Sequence, residues 1–398
     1  MFPEKMVKLG SNRSVIREIA EYGWKRKAEI GSDNVFDFSI GNPNVPAPKC
    51  VRDTITELLD TTDSMTLHGY SSAAGMPEVR RTIAESINRR FGTHVTMNNI
   101  YMTCGAAASL TISIKAITCE GDEFITFAPF FPEYTTFVEA AGAKLNVLPA
   151  DTKTFQIDID AFEKAINEHT KGVIINSPNN PSGVVYSEET IVKFCEVVKK
   201  KEAEYGHAIY IIADEPYREL VYGDVEVPYL MNYHKNVLVC YSYSKSLSLP
   251  GERIGYIAIS PDADDSETIF ASVCGAGRAL GFVCAPSMFQ LVVEKCVEET
   301  ADVSIYKKNR DILYGGLCEM GYEGPKPDGA FYLFVKALEE DAGAFCERAK
   351  KYELLLVPGD GFGCPGYVRI AYCVTTEQIE KSLPAFKKLA VEYMADNK

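Results

Sequence analysis

The chain has 398 residues, 46% of them hydrophobic and 24% charged, with a formal net charge of −14. That length exceeds one core of ordinary size, so two lobes are expected. The acidic balance, with no long Lys/Arg block, excludes nucleic acid and anionic membrane as partners.

Twelve cysteines and five histidines are dispersed, with no C-x-x-C pair and no ligand spacing. This argues for reduced, mostly buried thiols and against a metal. The opening MFPEKMVKLGSN is charged, unlike a secretory signal, and no apolar run approaches the length of a membrane span. A cytoplasmic setting is the expectation.

In chain order, Ser14 is placed to cap a first helix running towards Gly31, and residues 36–40 form a short strand ending in Gly41-Asn42-Pro43. Residues 77–91 read as a helix, with Pro77 at its first position, Val79, Ile83, Ile87 and Phe91 on one stripe, and Gly92 as the stop. Apolar runs at 99–103, 123–127, 144–148, 172–176, 208–213, 237–241 and 256–259 then alternate with longer amphipathic stretches. That pattern predicts an α/β fold, a mostly parallel central sheet flanked by helices. Beyond residue 300 the texture changes to a helix over 305–318, strands at 331–335, 354–357 and 368–372, and a final helix from Glu377. The expected division is an N-terminal arm and first part of a small domain (1–47), a large domain (48–290) and a smaller α+β domain (291–398). The small domain is then built from both chain ends.

Ligands of open parallel sheets bind beyond the carboxyl ends of the strands, and four of the runs end in polar residues. After 100–103 come Cys104-Gly105-Ala106-Ala107-Ala108-Ser109; such small residues either let a helix N-terminus approach a phosphate or serve packing. After 173–175 come Asn176-Ser177-Pro178-Asn179-Asn180-Pro181-Ser182-Gly183, a turn that also puts three amides at the ligand end. Asp214, at the tip of the next strand, needs a cation or a hydrogen bond. A protonated ring nitrogen would serve, with Tyr217 donating to a ring oxygen; a helix N-cap is the alternative for Asp214. Last is Ser242-Tyr243-Ser244-Lys245-Ser246-Leu247-Ser248-Leu249-Pro250-Gly251-Glu252-Arg253-Ile254-Gly255. A lysine directly after a buried strand is favoured as a neutral, nucleophilic amine, and Ser242 and Arg253 offer a hydroxyl and a guanidinium to a phosphate.

These motifs, in order from Gly41-Asn42-Pro43 to Arg369, resemble the class I aminotransferases, the fold-type-I group of pyridoxal-phosphate enzymes that includes aspartate and aromatic aminotransferases. The resemblance implies that Lys245 holds pyridoxal 5'-phosphate as a Schiff base, that Asp214 pairs with the pyridine nitrogen, and that Asn180 and Tyr217 bond the 3′ oxygen. It implies phosphate-facing amides at Gly105, Ala106 and Ala107 with Ser242, Ser244 and Arg253 around them, and Phe131 stacked on the ring. It gives Arg369 the substrate α-carboxylate, with Gly41 and Asn180 beside the substrate. Tyr70, in His-Gly-Tyr-Ser-Ser-Ala-Ala-Gly, matches a tyrosine that reaches the neighbouring subunit's phosphate, which implies a homodimer with shared sites. Two departures stand out: Ala106 and Ala107 replace polar residues common in relatives, and Phe131 replaces a tryptophan or tyrosine.

The reaction implied is ping-pong transamination through a Lys245 aldimine, between an L-amino acid and a 2-oxo acid such as 2-oxoglutarate. Aspartate is the first expectation for the donor; an aromatic or broad amino-acid range is the second, and a β-lyase on the same fold the third. A transcription regulator of this fold would need its own DNA-binding module, for which the ~35 residues before the first strand are too few. Arg278, in Cys274-Gly275-Ala276-Gly277-Arg278-Ala279-Leu280-Gly281, is a candidate reader of a side-chain carboxylate on a segment whose glycines suggest an irregular loop, a surface arginine being the alternative.

Overall fold

The structure is a computed structural model that describes residues 2–11 and 15–396; Ser14, the expected first cap, lies outside the described residues. Twelve strands are named here: β1 Phe36–Asp37, β2 Ile100–Thr103, β3 Glu123–Phe127, β4 Lys144–Leu148, β5 Thr170–Asn176, β6 Tyr210–Asp214, β7 Val237–Ser242, β8 Gly255–Ile259, β9 Tyr332–Lys336, β10 Leu354–Leu355, β11 Val357–Pro358 and β12 Tyr367–Ala371.

Seven strands form one sheet in the order β2-β8-β7-β6-β5-β3-β4. The pairings β3–β4, β3–β5, β5–β6 and β6–β7 are parallel, and β8 runs antiparallel to both neighbours. The sheet is therefore mostly parallel, as expected, and its central strands are apolar up to their polar ends because both faces are covered. Along β5, Val173 and Ile175 enter one apolar cluster and Ile174 another; β6 divides Ile211 and Ala213 from Ile212 in the same way. The pleat sends alternate side chains to opposite faces, so each strand joins two cores.

The helix Pro77–Phe91 has the expected bounds, with Val79, Ile83 and Ile87 buried and Gly92 left-handed at φ 69°. The strand expected over 36–40 is shorter. Asp37 Oδ1 accepts from the Ser39 N–H at 3.2 Å and from its hydroxyl at 2.6 Å, and this local bonding turns the chain out of the ladder. The run at 354–357 serves two sheets: β10 pairs in parallel with β1, while β11 joins β12 and β9 in an antiparallel sheet. Phe38 and Val45, from near the chain start, share a core with residues 301–393, so the two chain ends are packed together.

The glycines at 274–281 do not make a loop. They lie in and just after the helix Ser266–Leu280, which Gly281 caps at φ 79°. A Cβ on Gly277 would fall 2.2 Å from the Tyr101 hydroxyl, so that glycine allows close approach of the helix to β2 rather than a break. All twelve cysteines are free. No helix of the described residues is long and apolar enough to cross a membrane.

Candidate active site

The carboxyl ends of β5, β6 and β7, with the end of β2, open onto one cavity of about 190 Å³. Its lining includes Ala106, Ala107, Phe131, Asn180, Asp214, Tyr217, Ser242, Ser244, Lys245 and Arg253. A larger, open depression of about 590 Å³ lies beside Glu323, Lys336 and Tyr367 and gathers none of these residues.

β6 carries Asp214 into the cavity wall and continues as a turn, not a helix, which removes the N-cap reading. Asp214 is 4% exposed. Its Oδ2 accepts from the Tyr134 hydroxyl at 2.5 Å, while Oδ1 is buried without a hydrogen-bond partner. Burial pushes this carboxyl up to about 7, against the Tyr134 hydrogen bond, which pulls it down.

β7 leads into the one-turn helix Tyr243–Ser246, whose N-cap is Ser242. The Ser242 hydroxyl accepts from the Ser244 N–H at 3.2 Å and lies 2.8 Å from the Ser244 hydroxyl. Lys245 sits one residue further on. Its Nζ donates to the Gly41 carbonyl at 2.6 Å and lies 5.2 Å from the centre of the Phe331 ring. Burial brings Lys245 down to about 8, and the charges of Arg253 and Arg369 act in the same direction. A lysine lowered this far has a substantial neutral, nucleophilic fraction near neutrality.

Gly105 precedes the helix Ala106–Ile117 with φ 86°, and a Cβ there would lie 2.8 Å from Arg253 Nη2. Arg253 itself holds a left-handed backbone, φ 55°, a strained state for a residue with a side chain and one found at binding sites. Together they put a helix N-terminus, two hydroxyls and a guanidinium on one side of the cavity, an arrangement suited to a dianion.

The asparagines of the loop after β5 divide their labour. Asn176 donates to the Asp214 carbonyl at 2.8 Å and accepts from the Asn180 N–H at 2.7 Å. Asn179 accepts from the Ser182 N–H at 3.0 Å. Both brace the turn, so of the three expected amides only Asn180 lines the cavity. Its Oδ1 accepts from Arg369 Nη1 at 3.1 Å. Arg369, on β12, is 3% exposed; it also donates to the Ser39 carbonyl at 2.5 Å, and its Nε is unpartnered. Its guanidinium lies 4.8 Å from the Tyr332 ring centre and 5.0 Å from that of Phe362. Burial lowers its pKa, and no carboxylate of the described residues pairs with it.

Tyr217 is buried, its hydroxyl 2.9 Å from that of Tyr332. Phe131 lies edge-on to Tyr134, with centroids 5.7 Å apart. Tyr70 is not brought to the cavity; it is 99% exposed. Arg278 is exposed in the last turn of its helix. Sequence reasoning passed over Tyr134 and Tyr332. Tyr134 ends the run Ala-Pro-Phe-Phe-Pro-Glu-Tyr, three residues after Phe131, and that spacing from the expected stacking ring is the available signal. Tyr332 opens a strand that looks purely apolar, and nothing in the local pattern marks it.

A nucleophilic lysine, a buried carboxylate and a phosphate-suited helix end, at the carboxyl edge of a mostly parallel sheet, define an α/β enzyme with a phosphorylated ligand. Comparison with known proteins agrees. Residues 33–386 match the family Aminotransferase class I and II. The chain is 31% identical over 388 residues to a probable aspartate aminotransferase of Methanocaldococcus jannaschii, covering 94% of this chain and 96% of that one. It superposes on the crystal structure of an amino transferase from Eubacterium rectale with TM-score 0.97 and 59% identity, over 99% of each chain. An aspartate aminotransferase structure from Thermotoga maritima gives TM-score 0.85 and 29% identity, over 95% of this chain and 97% of the other. The chain therefore belongs to the class I and II aminotransferases, which are pyridoxal-phosphate-dependent transaminases.

Proposed function

We propose that the cavity binds pyridoxal 5'-phosphate and that the protein transfers the amino group of an L-amino acid, aspartate first, to a 2-oxo acid such as 2-oxoglutarate. One observation carries the assignment of the cofactor to this cavity: Asp214 is buried with Oδ1 unpartnered and its carboxyl raised to about 7, so the site lacks a cation that a protonated pyridine nitrogen would provide. The turn at Gly105–Ala107 with Ser242, Ser244 and Arg253 suits the phosphate, and the Phe131 ring a flat ligand. Ala106 and Ala107 leave their part of the phosphate contact to backbone N–H groups.

When bound, pyridoxal phosphate supplies an electron sink conjugated to the substrate nitrogen. Asp214 would keep that sink effective by holding a proton on the ring nitrogen, and Tyr217 and Asn180 would donate to the ring oxygen. Arg369 fixes the α-carboxylate through its planar fork, and this orients the substrate Cα–H bond. Lys245, as the free amine, then takes the Cα proton at Nζ. The Gly41 carbonyl, which accepts from Nζ, keeps the amine on that side of the cavity.

Aspartate as donor is supported by the names of the relatives, and an aromatic or broad range of donors is the second reading. We further propose a homodimer in which Tyr70, exposed in one subunit, completes the other's phosphate site. We propose the division 1–47, 48–290 and 291–398 as well; the packing of Phe38 and Val45 with residues 301–393 supports a small domain built from both chain ends, and the free cysteines favour a cytoplasmic setting.

The test begins with visible absorption by the purified protein, then borohydride reduction and peptide mass spectrometry, which should find the cofactor on Lys245. Lys245→Ala should lose nearly all turnover; transamination at the wild-type rate would overturn the assignment. A panel of amino donors against 2-oxoglutarate identifies the substrate. Pyruvate and ammonia formed without an oxo-acid acceptor would mark a β-lyase instead.

A further inference from the structure

Tyr332, the first residue of β9, is 3% exposed and touches three parts of the site at once. Its hydroxyl lies 2.9 Å from the Tyr217 hydroxyl, with the rings edge-on at 5.6 Å. Its ring face lies 4.8 Å from the Arg369 guanidinium. A Cβ on Gly41 would fall 2.0 Å from the Tyr332 hydroxyl, so glycine at 41 is the space that this phenol needs. The carbonyl of Gly41 in turn accepts from Lys245.

Either hydroxyl can donate at this distance, and the two directions differ in which proton they leave over. Burial raises both phenols, Tyr332 to about 12 and Tyr217 well above its ordinary value, so each keeps its proton at neutral pH. Two O–H groups share one hydrogen bond, and no other partner of the Tyr332 hydroxyl is found among the described residues. If Tyr217 donated to Tyr332, its proton would be consumed inside the protein wall. If Tyr332 donates, the Tyr217 proton is free to point into the cavity, and the Tyr217 oxygen, relieved of electron density, becomes a stronger donor.

We propose that Tyr332 is a positioning residue for transamination: by donating to Tyr217 it directs the Tyr217 proton at the oxygen of the bound ring. The proposal rests on the reading that Tyr217 faces that oxygen. It assigns Tyr332 no contact with cofactor or substrate; the residue acts through Tyr217, and its ring also keeps the Arg369 guanidinium in place.

The experiment compares Tyr332→Phe, Tyr217→Phe and the double variant with wild type as cofactor-loaded proteins. The pH midpoint of the cofactor's visible absorption change is read in each, beside kcat, KM and the thermal melt. Tyr332→Phe retains the ring against Arg369 and removes the donor. Its midpoint should rise by about half a unit or more, because the ring oxygen then keeps its proton-sharing form to higher pH. kcat should fall several-fold while KM for the amino acid stays within about twofold. Tyr217→Phe should raise the midpoint further, and adding Tyr332→Phe to it should change nothing more, since the two act in series.

A midpoint unchanged in Tyr332→Phe but raised in Tyr217→Phe overturns the role of Tyr332 and leaves the function standing. A Tyr332→Phe shift that persists undiminished in the Tyr217→Phe background overturns it too, because the effect would then not pass through Tyr217. A midpoint unmoved by Tyr217→Phe overturns the underlying placement of the ring oxygen. Should Tyr332→Phe melt far below wild type, Tyr332→His, with a ring N–H in place of the hydroxyl, is read in the same way, and recovery of the wild-type midpoint there supports the donor role.

Discussion

Replacing Arg369 with methionine separates binding from stability. The guanidinium is buried with no carboxylate partner, held by Ser39 and Asn180 and flanked by Tyr332 and Phe362. Methionine retains much of the volume and removes the charge. For the substrate, two charge-assisted hydrogen bonds are lost, worth about 1.5–3 kcal/mol each, or roughly 3–6 kcal/mol together. At about 1.4 kcal/mol per tenfold, kcat/KM should fall about a hundredfold to roughly ten-thousandfold for every amino donor, since all share the α-carboxylate. For the fold the terms oppose one another. The Ser39 carbonyl and Asn180 Oδ1 lose a donor at a cost of about 1–3 kcal/mol each, while the several kcal/mol of desolvation held by an unpaired buried cation are released. Cofactor-free Arg369→Met should therefore melt within a few degrees of wild type. The assay is steady-state kinetics with several donors beside calorimetry of the cofactor-free protein. A loss below tenfold, or one confined to dicarboxylic donors, would falsify the carboxylate-clamp reading.

Two further predictions concern Asp214 and Tyr70. The Asp214 carboxyl is raised to about 7 in the folded chain, above the ~3.9 of an unfolded aspartate, so between about pH 4 and 7 the folded state binds a proton that the unfolded state does not. Stability from this group therefore falls as pH rises through that window and levels off above it; the melting temperature of cofactor-free Asp214→Asn, relative to wild type, should climb from pH 4 to 7, and parallel curves would refute the shift. For the shared site, mixing Lys245→Ala with Tyr70→Ala and exchanging subunits should regenerate about a quarter of wild-type sites, because half the dimers are mixed and each carries one intact site; a stable, fully active monomer in sedimentation would refute it.

What the sequence discloses follows from how local each signal is. The strands of the large sheet are legible because burial on both faces makes them short and apolar up to their polar ends, and the residue after each run is then at the ligand edge by topology. Lys245, Asp214 and the turn at Gly105 are found that way, and the cavity collects them. Asn176 and Asn179 are misread because an amide that braces a turn and one that faces a ligand look alike in sequence. Gly277 looks like a breaker, although its reason is the Tyr101 hydroxyl, 176 positions away in the chain and 2.2 Å from where a Cβ would be. Tyr134 and Tyr332 act through partners far off in sequence, Asp214 and Tyr217, and no local period can announce such a pair. The division of residues 354–358 between two sheets escapes for the same reason, since only the pairing partners separate β10 from β11.

The charges of the site narrow its ligands before any substrate is tested. Asp214 on β6 is raised by burial and has an oxygen free for a donor; Arg369 on β12 is lowered by burial and has no anion beside it. Buried groups of this kind work against the fold unless they are completed, and a chain retains them where a ligand completes them. Their demands are opposite in sign and come from elements far apart in sequence, with Asn180 touching Arg369 and lining the same cavity as Asp214. A neutral ligand answers neither demand, and a simple anion answers one. A cationic ring held at Asp214 and a carboxylate held at Arg369 answer both, and Lys245, lowered to about 8, is the amine that the same cavity offers to the chemistry between them. Binding of either partner should then raise the melting temperature by mass action, and binding of both should raise it further.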